Sequence, residues 1–469
     1  MKIKKLFCAS VLTGAALVGL ASCGGNADDD KTVTFYTTAG DLPMQTINVA
    51  KEKFEKENEG WKVNVVNGFS YDSLRDKVTS MISSNTQPSV AYCYPDHVAS
   101  YLRSGKVLDL TKFKDNEEYG FTKEEWADFV PSYMTEGVSY SEKGMFSIPF
   151  VRSTEVLYYN KTVLDKHSIA VPKTWAQLWD ACATLKGLYK NSKPLAYDSE
   201  ANWAITYLEQ YAKNEGKGGK YYTNGSLDKE QRITFNNDIL KNFFKEAKSK
   251  YDTGLFTSKG VNGGSYGSTL IKQYDKETYK DSSSYGNFKG SFFSIGSTGG
   301  AAKQNPEKKA DGSMPFEAEV AGLPGITEAS ALTISQGPSL VMFDQGNDER
   351  AIATWKFVKT LLDPAIQAQY AIENGYNPVR QSVYELDVFK AAMDEEADSL
   401  VSKSILLANE LGQKDLFFTS DAFVGSAKAR DQIGQAMINV MKASKNDDAT
   451  IQGEIDEAYE EAVYYTKKG

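Results

Sequence analysis

The pattern of apolar and polar positions in the first part of the chain changes repeatedly between a period of two and a period close to 3.6. Three segments have the alternating or continuously apolar character of strands: 32–37, 61–66 and 89–94. Each is followed by a segment whose apolar residues recur at helical spacing: 43–58, 71–84 and 96–104. Strands that alternate with helices through short connections usually form a parallel sheet, so this part of the chain is predicted to be an α/β layer.

A second α/β series follows an extended segment in the middle of the chain. Two strand-like runs, 145–150 and 154–159, are separated by only three residues. A nearly continuous extended segment of this kind is expected where a chain passes from one lobe to another. Residues 253–288, rich in Gly, Ser, Tyr and Lys, are predicted to be a long surface insertion. From residue 348 onward the pattern is mainly helical.

Length and charge restrict the classes of protein to be considered. The chain has 469 residues, with 53 basic and 62 acidic side chains and a formal net charge of −9. A single core rarely grows beyond about 250–300 residues, so two lobes are expected. The acidic balance argues against a nucleic-acid partner, which requires a basic surface. With only His97 and His167 and no nucleotide or metal motif, no cofactor is predicted.

The first thirty residues have the features of a targeting segment. Three lysines among the first five residues precede a short apolar run over 6–20, which is typical of a secretory signal and too short to span a membrane. The sequence Leu-Ala-Ser-Cys that ends at Cys23 resembles the bacterial lipobox, in which the cysteine receives the lipid. We therefore predict a lipoprotein signal peptide over 1–22 and a solvated tether over 23–30. The alternative is a plain signal peptide with an incidental cysteine.

Two cysteines remain after this segment, Cys93 and Cys182. They lie in separate predicted elements and lack the spacing of a disulfide framework, so we expect two isolated buried thiols. An oxidising compartment would also permit a disulfide between them.

Several motifs, found in the same order along nearly the whole chain after the signal, resemble those of a known family. They lie at 148–161, 171–175, 289–300, 334–339, 355–358 and 375–380. The most specific piece reads Ile-Pro-Phe, then Ser-Thr-Glu-Val-Leu-Tyr-Tyr-Asn-Lys, over the first of these segments. This order is similar to that of the bacterial extracellular solute-binding proteins of ABC importers, in the maltose-binding-like class. Within that class the chain most resembles the glycerol-3-phosphate-binding branch.

The resemblance implies an α/β fold of two lobes, with a hinge and a cleft between the lobes. One lobe is expected to comprise 31–150 and 324–373, and the other 151–323 and 374–469. A small-molecule ligand would bind in the cleft and favour closure, since it contacts both lobes. The resemblance also implies an ABC importer permease as partner, a monomeric chain, and an extracytoplasmic location held to the membrane by lipid.

The resemblance further implies ligand contacts at Tyr71, Asp96 and Tyr376. Four more contacts are expected from residue type and place in the chain: Ser153 just past the crossover, Ser297 at a predicted helix start, Gly337, which allows close approach of the backbone, and Trp203, which can stack on a ring. Thr298, next to Ser297 at a predicted helix start, is expected to add a hydroxyl group. Aromatic rings can stack on a sugar or polyol, and carboxylates and hydroxyls can hydrogen-bond to its hydroxyl groups.

Structural roles for the same residues remain open. Tyr71 and Trp203 could be core aromatics. Asp96 and Ser297 could serve only as helix caps, and Gly337 could be a turn glycine.

Two departures from the glycerol-3-phosphate-binding branch bear on the ligand. Pro95 separates Asp96 from the aromatic residue at the end of the strand, whereas in that branch the acid follows the aromatic directly. Phe423 stands where that branch places an arginine for phosphate, and Arg430 lies seven residues further on. A phosphate would lose its strongest bidentate contact. A neutral carbohydrate is therefore the preferred ligand, with a glycerol phosphate compound as the second choice.

An enzyme is the competing class. Residues 263–267 match the G-x-S-x-G pattern of a hydrolase nucleophile, but no apolar strand directly precedes them and no histidine follows. A glycosidase needs only two carboxylates, so a lipid-anchored carbohydrate hydrolase is the alternative. The ordered family motifs favour a binding protein without catalysis.

Overall fold

The computed structural model describes residues 31–140, 142–216, 220–224 and 232–468. The predicted signal peptide 1–22, the tether 23–30 and the lipidation residue Cys23 lie outside the described residues. Strands of the described chain are, in order, β1 (Thr32–Tyr36), β2 (Lys62–Val66), β3 (Val90–Cys93), β4 (Ile148–Pro149), β5 (Val151–Asn160), β6 (Leu195–Tyr197), β7 (Phe256–Ser258), β8 (Phe293–Ser297), β9 (Ala318–Gly322), β10 (Thr333–Gln336), β11 (Ser339–Met342), β12 (Asn377–Pro378) and β13 (Phe417–Phe418).

Helices occupy most of the remaining described chain. The α-helices are α1 (Asp41–Glu57), α2 (Tyr71–Ser83), α3 (Pro95–Leu102), α4 (Thr111–Lys114), α5 (Lys123–Ala127), α6 (Pro131–Met134), α7 (Lys161–Lys166), α8 (Trp175–Leu188), α9 (Glu200–Glu215), α10 (Asp238–Asp252), α11 (Gly267–Ile271), α12 (Ala301–Gln304), α13 (Asp348–Leu361), α14 (Pro364–Asn374), α15 (Asp387–Glu395), α16 (Leu400–Gln413), α17 (Ser426–Lys442) and α18 (Asp448–Lys468). Short 3-10 helices span Thr135–Val138, Tyr285–Asn287, Thr298–Gly300, Glu328–Ser330 and Gln381–Glu385. Within the described residues, no helix combines the length and apolar character needed to cross a bilayer.

The smaller sheet has the strand order β2-β1-β3-β11-β4. β1 pairs in parallel with both β2 and β3, and α1, α2 and α3 follow β1, β2 and β3 in turn. This is the parallel α/β layer that the periodicity of the first hundred residues predicts. β11 returns from late in the sequence and pairs antiparallel with β3 and β4.

The larger sheet is built around the long strand β5. Its main path is β13-β10-β5-β8-β6-β7, and β9 and β12 also pair with β5. β8 and β9 pair antiparallel with the C-terminal half of β5, which ends at Asn160. β10 and β12 pair antiparallel with its N-terminal residues. One strand therefore holds together segments that are far apart in the sequence.

Along the described residues the chain passes between the two sheets three times: between β4 and β5, between β10 and β11, and, through α13 and α14, between β11 and β12. β4 lies in the smaller sheet and β5 in the larger one, with only Phe150 between them. The return passage lies between β10 and β11, at Gly337-Pro338. The lobe boundaries at 150/151, 323/324 and 373/374 stay predictions. In the structure, the chain leaves the larger sheet and enters the smaller sheet at residues 337–338.

Each sheet covers its own apolar core, as two lobes require. Under the smaller sheet lie buried side chains such as Phe35 and Trp355, and the larger sheet packs on a core that includes Trp203 and Phe256. A third, small cluster around Phe389 joins α14, α15 and α16. The three passages between the sheets thus connect two separately packed bodies.

The prediction that residues 253–288 form a surface insertion is wrong. β7 lies within this segment and pairs in parallel with β6. Phe256, Tyr274 and Phe288 are fully buried or nearly so. The Gly, Ser and Lys residues lie between widely spaced aromatic anchors, so the average polarity of the segment hides its contribution to the core.

The two cysteines of the described chain are both free and buried. Burial raises the pKa of the Cys93 and Cys182 thiols well above the ordinary value, so both remain protonated. The expectation of two isolated buried thiols is confirmed.

Candidate functional site

Two adjoining hollows lie where the two sheets face each other. The aromatic hollow is the one lined by Tyr71, Tyr92, Gly299, Gly300, Tyr370 and Tyr376, among others. The polar hollow is the one lined by Tyr94, Asp96, Tyr222, Ser335, Gln336 and Arg430, among others. Both contain residues that follow strands of the smaller sheet and residues from the larger sheet or its helices, which is the arrangement expected of a cleft between lobes.

Tyr71 and Tyr94 form a stacked pair between the two hollows. Their ring centroids are 4.2 Å apart with an interplanar angle of 24°. Tyr71 is the first residue of α2, whose N-cap Ser70 accepts a hydrogen bond from the Ser73 backbone N–H. Tyr94 is the N-cap of α3. Burial raises the pKa of both phenols, so each keeps its O–H as a hydrogen-bond donor.

Tyr376 lies on the opposite side of the aromatic hollow because of the glycine before it. Gly375 ends α14 in the left-handed conformation, with φ of 74°, and turns the chain sharply. The Tyr376 ring then covers Gly299, where a Cβ atom would lie only 2.9 Å from the ring. Tyr370 is 5.9 Å away, centroid to centroid. A flat face of a ligand can therefore pack among tyrosines on more than one side.

Asp96 supplies a carboxylate to the polar hollow. Pro95 begins α3, and Asp96 in its first turn accepts a hydrogen bond from the His97 backbone N–H at 2.9 Å. His97 Nε2 is 3.8 Å from the same carboxylate oxygen, but burial lowers the pKa of His97 and favours its neutral form. The half-buried carboxylate thus lacks a fixed cation and retains acceptor capacity for hydroxyl groups.

Arg430, on α17, reaches the polar hollow from the wall that faces Asp96. The guanidinium donates a hydrogen bond to the side-chain oxygen of Asn202. With the Gln336 amide oriented so that its oxygen faces Arg430, that oxygen accepts from Nη1 at 2.6 Å. Asn202 in turn donates to Glu155 at 2.7 Å. This chain of contacts holds the guanidinium at the hollow.

Glu155 lies behind that network, buried in the larger sheet. It accepts hydrogen bonds from Tyr197 at 2.6 Å and from Asn202. Burial raises the pKa of Glu155 to about 7, although those hydrogen bonds and the Arg430 charge oppose the rise. Glu155 is therefore a titratable group that is linked to the cleft through Asn202 and Arg430.

Three of the predicted hydroxyl residues lie near the hollows in different settings. Ser153 donates to the Gln336 backbone oxygen at 3.3 Å, beside the polar hollow. Ser297 is exposed and accepts a hydrogen bond from the Gly299 N–H, as a cap does. Thr298 is buried and accepts from the Thr154 N–H, so its hydroxyl is used within the fold.

Trp203 and Gly337 do not line either hollow. Trp203 is 0% exposed and stacks on Tyr197 at 4.7 Å inside the core of the larger sheet, so it has no free face for a sugar. Gly337 packs against the start of β5, where a Cβ atom on Gly337 would lie 2.2 Å from the Val151 carbonyl oxygen. The packing of both agrees with the structural roles that were the alternatives to ligand contact.

Tyr94 and Arg430 line the polar hollow although neither was among the predicted contacts. Tyr94 had a signal in the sequence, since it ends the third strand directly before Asp96. Arg430 is one polar residue in a long helical pattern, and only the fold shows which face of α17 meets the cleft. Another arginine near the cleft, Arg152, is 1% exposed and forms an ion pair with Glu136 at 2.9 Å. Its charge is therefore neutralised within the fold.

Neither of the two histidines, both within the described residues, contacts Ser265 of the G-x-S-x-G segment. Ser265 lies in a turn after β7, and the two histidines contact other groups: His97 lies beside Asp96, and His167 hydrogen-bonds to Tyr189. Across the described ranges, no group of three or more His, Cys, Asp or Glu side chains is arranged to hold a metal ion.

Comparison with known proteins gives the family. A sequence profile described as bacterial extracellular solute-binding protein matches residues 50–397, which is more than half of the chain. The chain belongs to this family. Curated relatives include the sn-glycerol-3-phosphate-binding periplasmic protein UgpB of Pectobacterium atrosepticum, 22% identical over 384 residues and covering 80% of each chain. The protein of the same name from Shigella dysenteriae is 24% identical over 380 residues, again 80% of each.

Solved structures of binding proteins share the fold. The GacH receptor of Streptomyces glaucescens superposes with a TM-score of 0.68 at 20% identity, over 92% of this chain and 98% of its own. UgpB of Mycobacterium tuberculosis, in complex with glycerophosphocholine, gives 0.66 at 17% identity, over 91% and 97%. Maltose-bound MalE3 of T. maritima gives 0.67 at 16% identity, over 91% and 98%. The predicted two-lobed α/β fold and the solute-binding family of ABC importers are thereby confirmed.

Proposed function

We propose that the protein is a lipid-anchored binding protein that captures a carbohydrate or a related polyol compound in the cleft and delivers it to an ABC importer permease. The observation that carries this proposal is the set of tyrosines around the aromatic hollow next to the carboxylate of Asp96, which retains acceptor capacity. Aromatic faces suit the C–H surfaces of a sugar, and a carboxylate suits its hydroxyl groups.

Capture by closure follows from the position of the hollows. A solute that contacts Tyr71 and Asp96 from one side and Gly299 or Gln336 from the other binds the closed form better than the open form. This difference in affinity drives the closure. No catalytic step is needed, and we propose that the protein is not an enzyme.

Anchoring and partner are supported by the sequence and by the family. A lipid on Cys23 would hold the protein at the outer face of the cytoplasmic membrane, close to its permease and at high effective concentration. A monomer suffices for this role. A Cys23→Ser variant is expected to leave the membrane fraction. If the variant stays with the membrane after a carbonate wash, the lipid anchor is wrong.

A second candidate ligand is glycerol 3-phosphate or a glycerophosphodiester. It is supported by the names of the UgpB relatives and by Arg430, which supplies a guanidinium to the polar hollow from a different position than the family's arginine. The sequence alone favours a neutral carbohydrate because Phe423 occupies the position of that arginine.

A thermal-shift screen of the purified protein tests the proposal. The panel contains mono- and oligosaccharides, polyols, glycerol 3-phosphate and its diesters. A ligand present at 100 times its dissociation constant stabilises the folded state by about 2.7 kcal/mol, which gives a clear rise in melting temperature. A saturable shift with any class supports capture of a hydroxylated solute. If no member of the panel shifts the transition, the proposed solute class is wrong.

A further inference from the structure

Glu155 is a buried carboxylate near the middle of β5, and both of its oxygens accept hydrogen bonds. The residue is 4% exposed. Oε2 accepts from the Tyr197 hydroxyl at 2.6 Å, and Oε1 accepts from Nδ2 of Asn202 at 2.7 Å. An ionised carboxyl group only accepts hydrogen bonds, whereas a protonated one has to donate one. Two donors aimed at one carboxyl group are therefore the partners that the ionised form requires.

Asn202 connects this carboxylate with the wall of the polar hollow. It lies in the first turn of α9, where its backbone N–H donates to Ser199, and it is 5% exposed. Because its amide nitrogen faces Glu155, its amide oxygen faces Arg430 and accepts from that guanidinium. Arg430 itself lines the hollow. The orientation of one buried amide thus links a carboxylate outside the cleft to a side chain inside it.

Protonation of Glu155 disturbs this arrangement. The proton lies toward either Tyr197 or Asn202, and the partner on that side can no longer donate. If Asn202 turns its amide around, its nitrogen faces Arg430 and two donors meet. If Tyr197 turns instead, its buried O–H loses its acceptor, and the negative charge that attracts Arg430 is lost as well. In both arrangements Arg430 is held less firmly than in the ionised network.

Ionisable groups on neighbouring elements also act on Glu155. Tyr197, on β6, stays protonated because burial raises its pKa. The positive charge of Arg430, on α17, favours ionised Glu155, whereas the negative charge of Asp198, directly after β6, opposes its ionisation. Burial raises the pKa of Asp198 itself only to about 6. The residues that pair with or donate to Glu155 from β8 and β10 are uncharged, namely Ser297 and Thr333.

We propose that Glu155 is a positioning residue for solute capture, and that capture is coupled to the release of a proton. The ionised carboxylate holds Asn202, and through it Arg430, in the arrangement that lines the cleft. A proton on Glu155 loosens this wall, so a solute that contacts the wall binds the ionised form better. The coupling rests on the proposed function and applies to charged and neutral solutes alike.

Titration calorimetry at several pH values tests the coupling. The probes are maltose and glycerophosphocholine, since neither gains or loses a proton near neutral pH, whereas a phosphate monoester titrates at about pH 6. Burial raises the pKa of Glu155 to about 7. The affinity of the wild type is therefore expected to fall about tenfold from about pH 8 to about pH 6, in proportion to the ionised fraction that is competent to bind.

Variants separate Glu155 from other titrating groups. Glu155→Gln keeps the shape of the side chain, and its affinity should be independent of pH and close to that of the wild type at low pH. Asn202→Ala keeps the carboxylate but removes its link to Arg430, so it should also flatten the profile. Glu209→Gln is the matched control and should keep the change in affinity. Glu209 lies on the same helix, and burial and the nearby charge of Asp421 raise its pKa to about 7.

NMR spectra of the unliganded protein provide a measurement that does not depend on the probes. The Nε–Hε signal of Arg430, assigned by its absence from Arg430→Lys, should shift with pH in the wild type and stay fixed in Glu155→Gln. Wild-type affinity that is the same at both ends of the pH range would refute the coupling and leave the proposed function standing. If neither probe binds, the solute class is wrong, and a fixed Arg430 signal in the wild type would then refute the positioning role separately.

Discussion

Glu155 should make the stability of the protein depend on pH, because it is an ionisable group inside the larger lobe's sheet. Burial raises its pKa to about 7, with Tyr197 and Asn202 as hydrogen-bond partners. The Glu155→Gln substitution keeps the shape of the side chain and removes its titration. Asp198, whose pKa burial raises to about 6, titrates in both proteins.

The magnitude follows from the difference between folded and unfolded states. The reference pKa of a glutamate is 4.5, so the folded protein holds this proton more tightly than the unfolded chain. The contribution of Glu155 to stability is therefore fully present below pH about 4.5, falls as the pH rises, and is lost above about 7. At 1.36 kcal/mol per pKa unit, the loss over this window amounts to about 3 kcal/mol.

The assay is urea denaturation of wild type and Glu155→Gln at several pH values from about 4.5 to 8. Groups that titrate in both proteins cancel when the two free energies of unfolding are subtracted. The variant should gain about 3 kcal/mol on the wild type across this range. Asp198→Asn is the companion variant, and its gain should begin at lower pH. Parallel pH profiles for wild type and Glu155→Gln would refute the buried titration.

Three further substitutions test individual contacts. Trp203→Ala should cost about 3–5 kcal/mol in urea denaturation, because it empties a large core site, and a cost below about 1 kcal/mol would contradict its burial. Gly337→Ala should lower stability by about 1–3 kcal/mol, since its Cβ would collide with the Val151 carbonyl; an unchanged melting temperature would argue against that packing. Ser265→Ala should behave as wild type, with oligosaccharides intact after incubation with either; hydrolysis lost in the variant would restore the enzyme hypothesis.

Local pattern was sufficient to predict much of the fold. The strand and helix alternation between 32 and 104 appears in the structure as β1 to β3 with α1 to α3, because both periods depend on short-range geometry. The passage from β4 to β5 was also visible as an extended run. β7 was missed, since three strand residues among Gly, Ser and Lys carry too little periodicity to be recognised.

The site could be predicted only in part. Tyr71, Asp96 and Tyr376, which the resemblance to the family implies as contacts, line the hollows. Trp203 shows the limit, because an aromatic residue on a helix looks the same whether it faces core or cleft. Arg430 could be named from the sequence as a cation near Phe423, but its place in the polar hollow depends on how α17 packs against the rest of the fold.

Titration calorimetry of Tyr376→Ala with whichever solute shifts the wild-type melting temperature tests the central claim most directly. Tyr464→Ala, at a half-exposed tyrosine on the last helix, serves as the matched control. Binding in the aromatic hollow predicts that Tyr376→Ala weakens affinity by about 1–3 kcal/mol, or roughly 5- to 150-fold, while the control binds as wild type does. Unchanged affinity in a folded Tyr376→Ala protein would contradict the placement of the solute in this cleft.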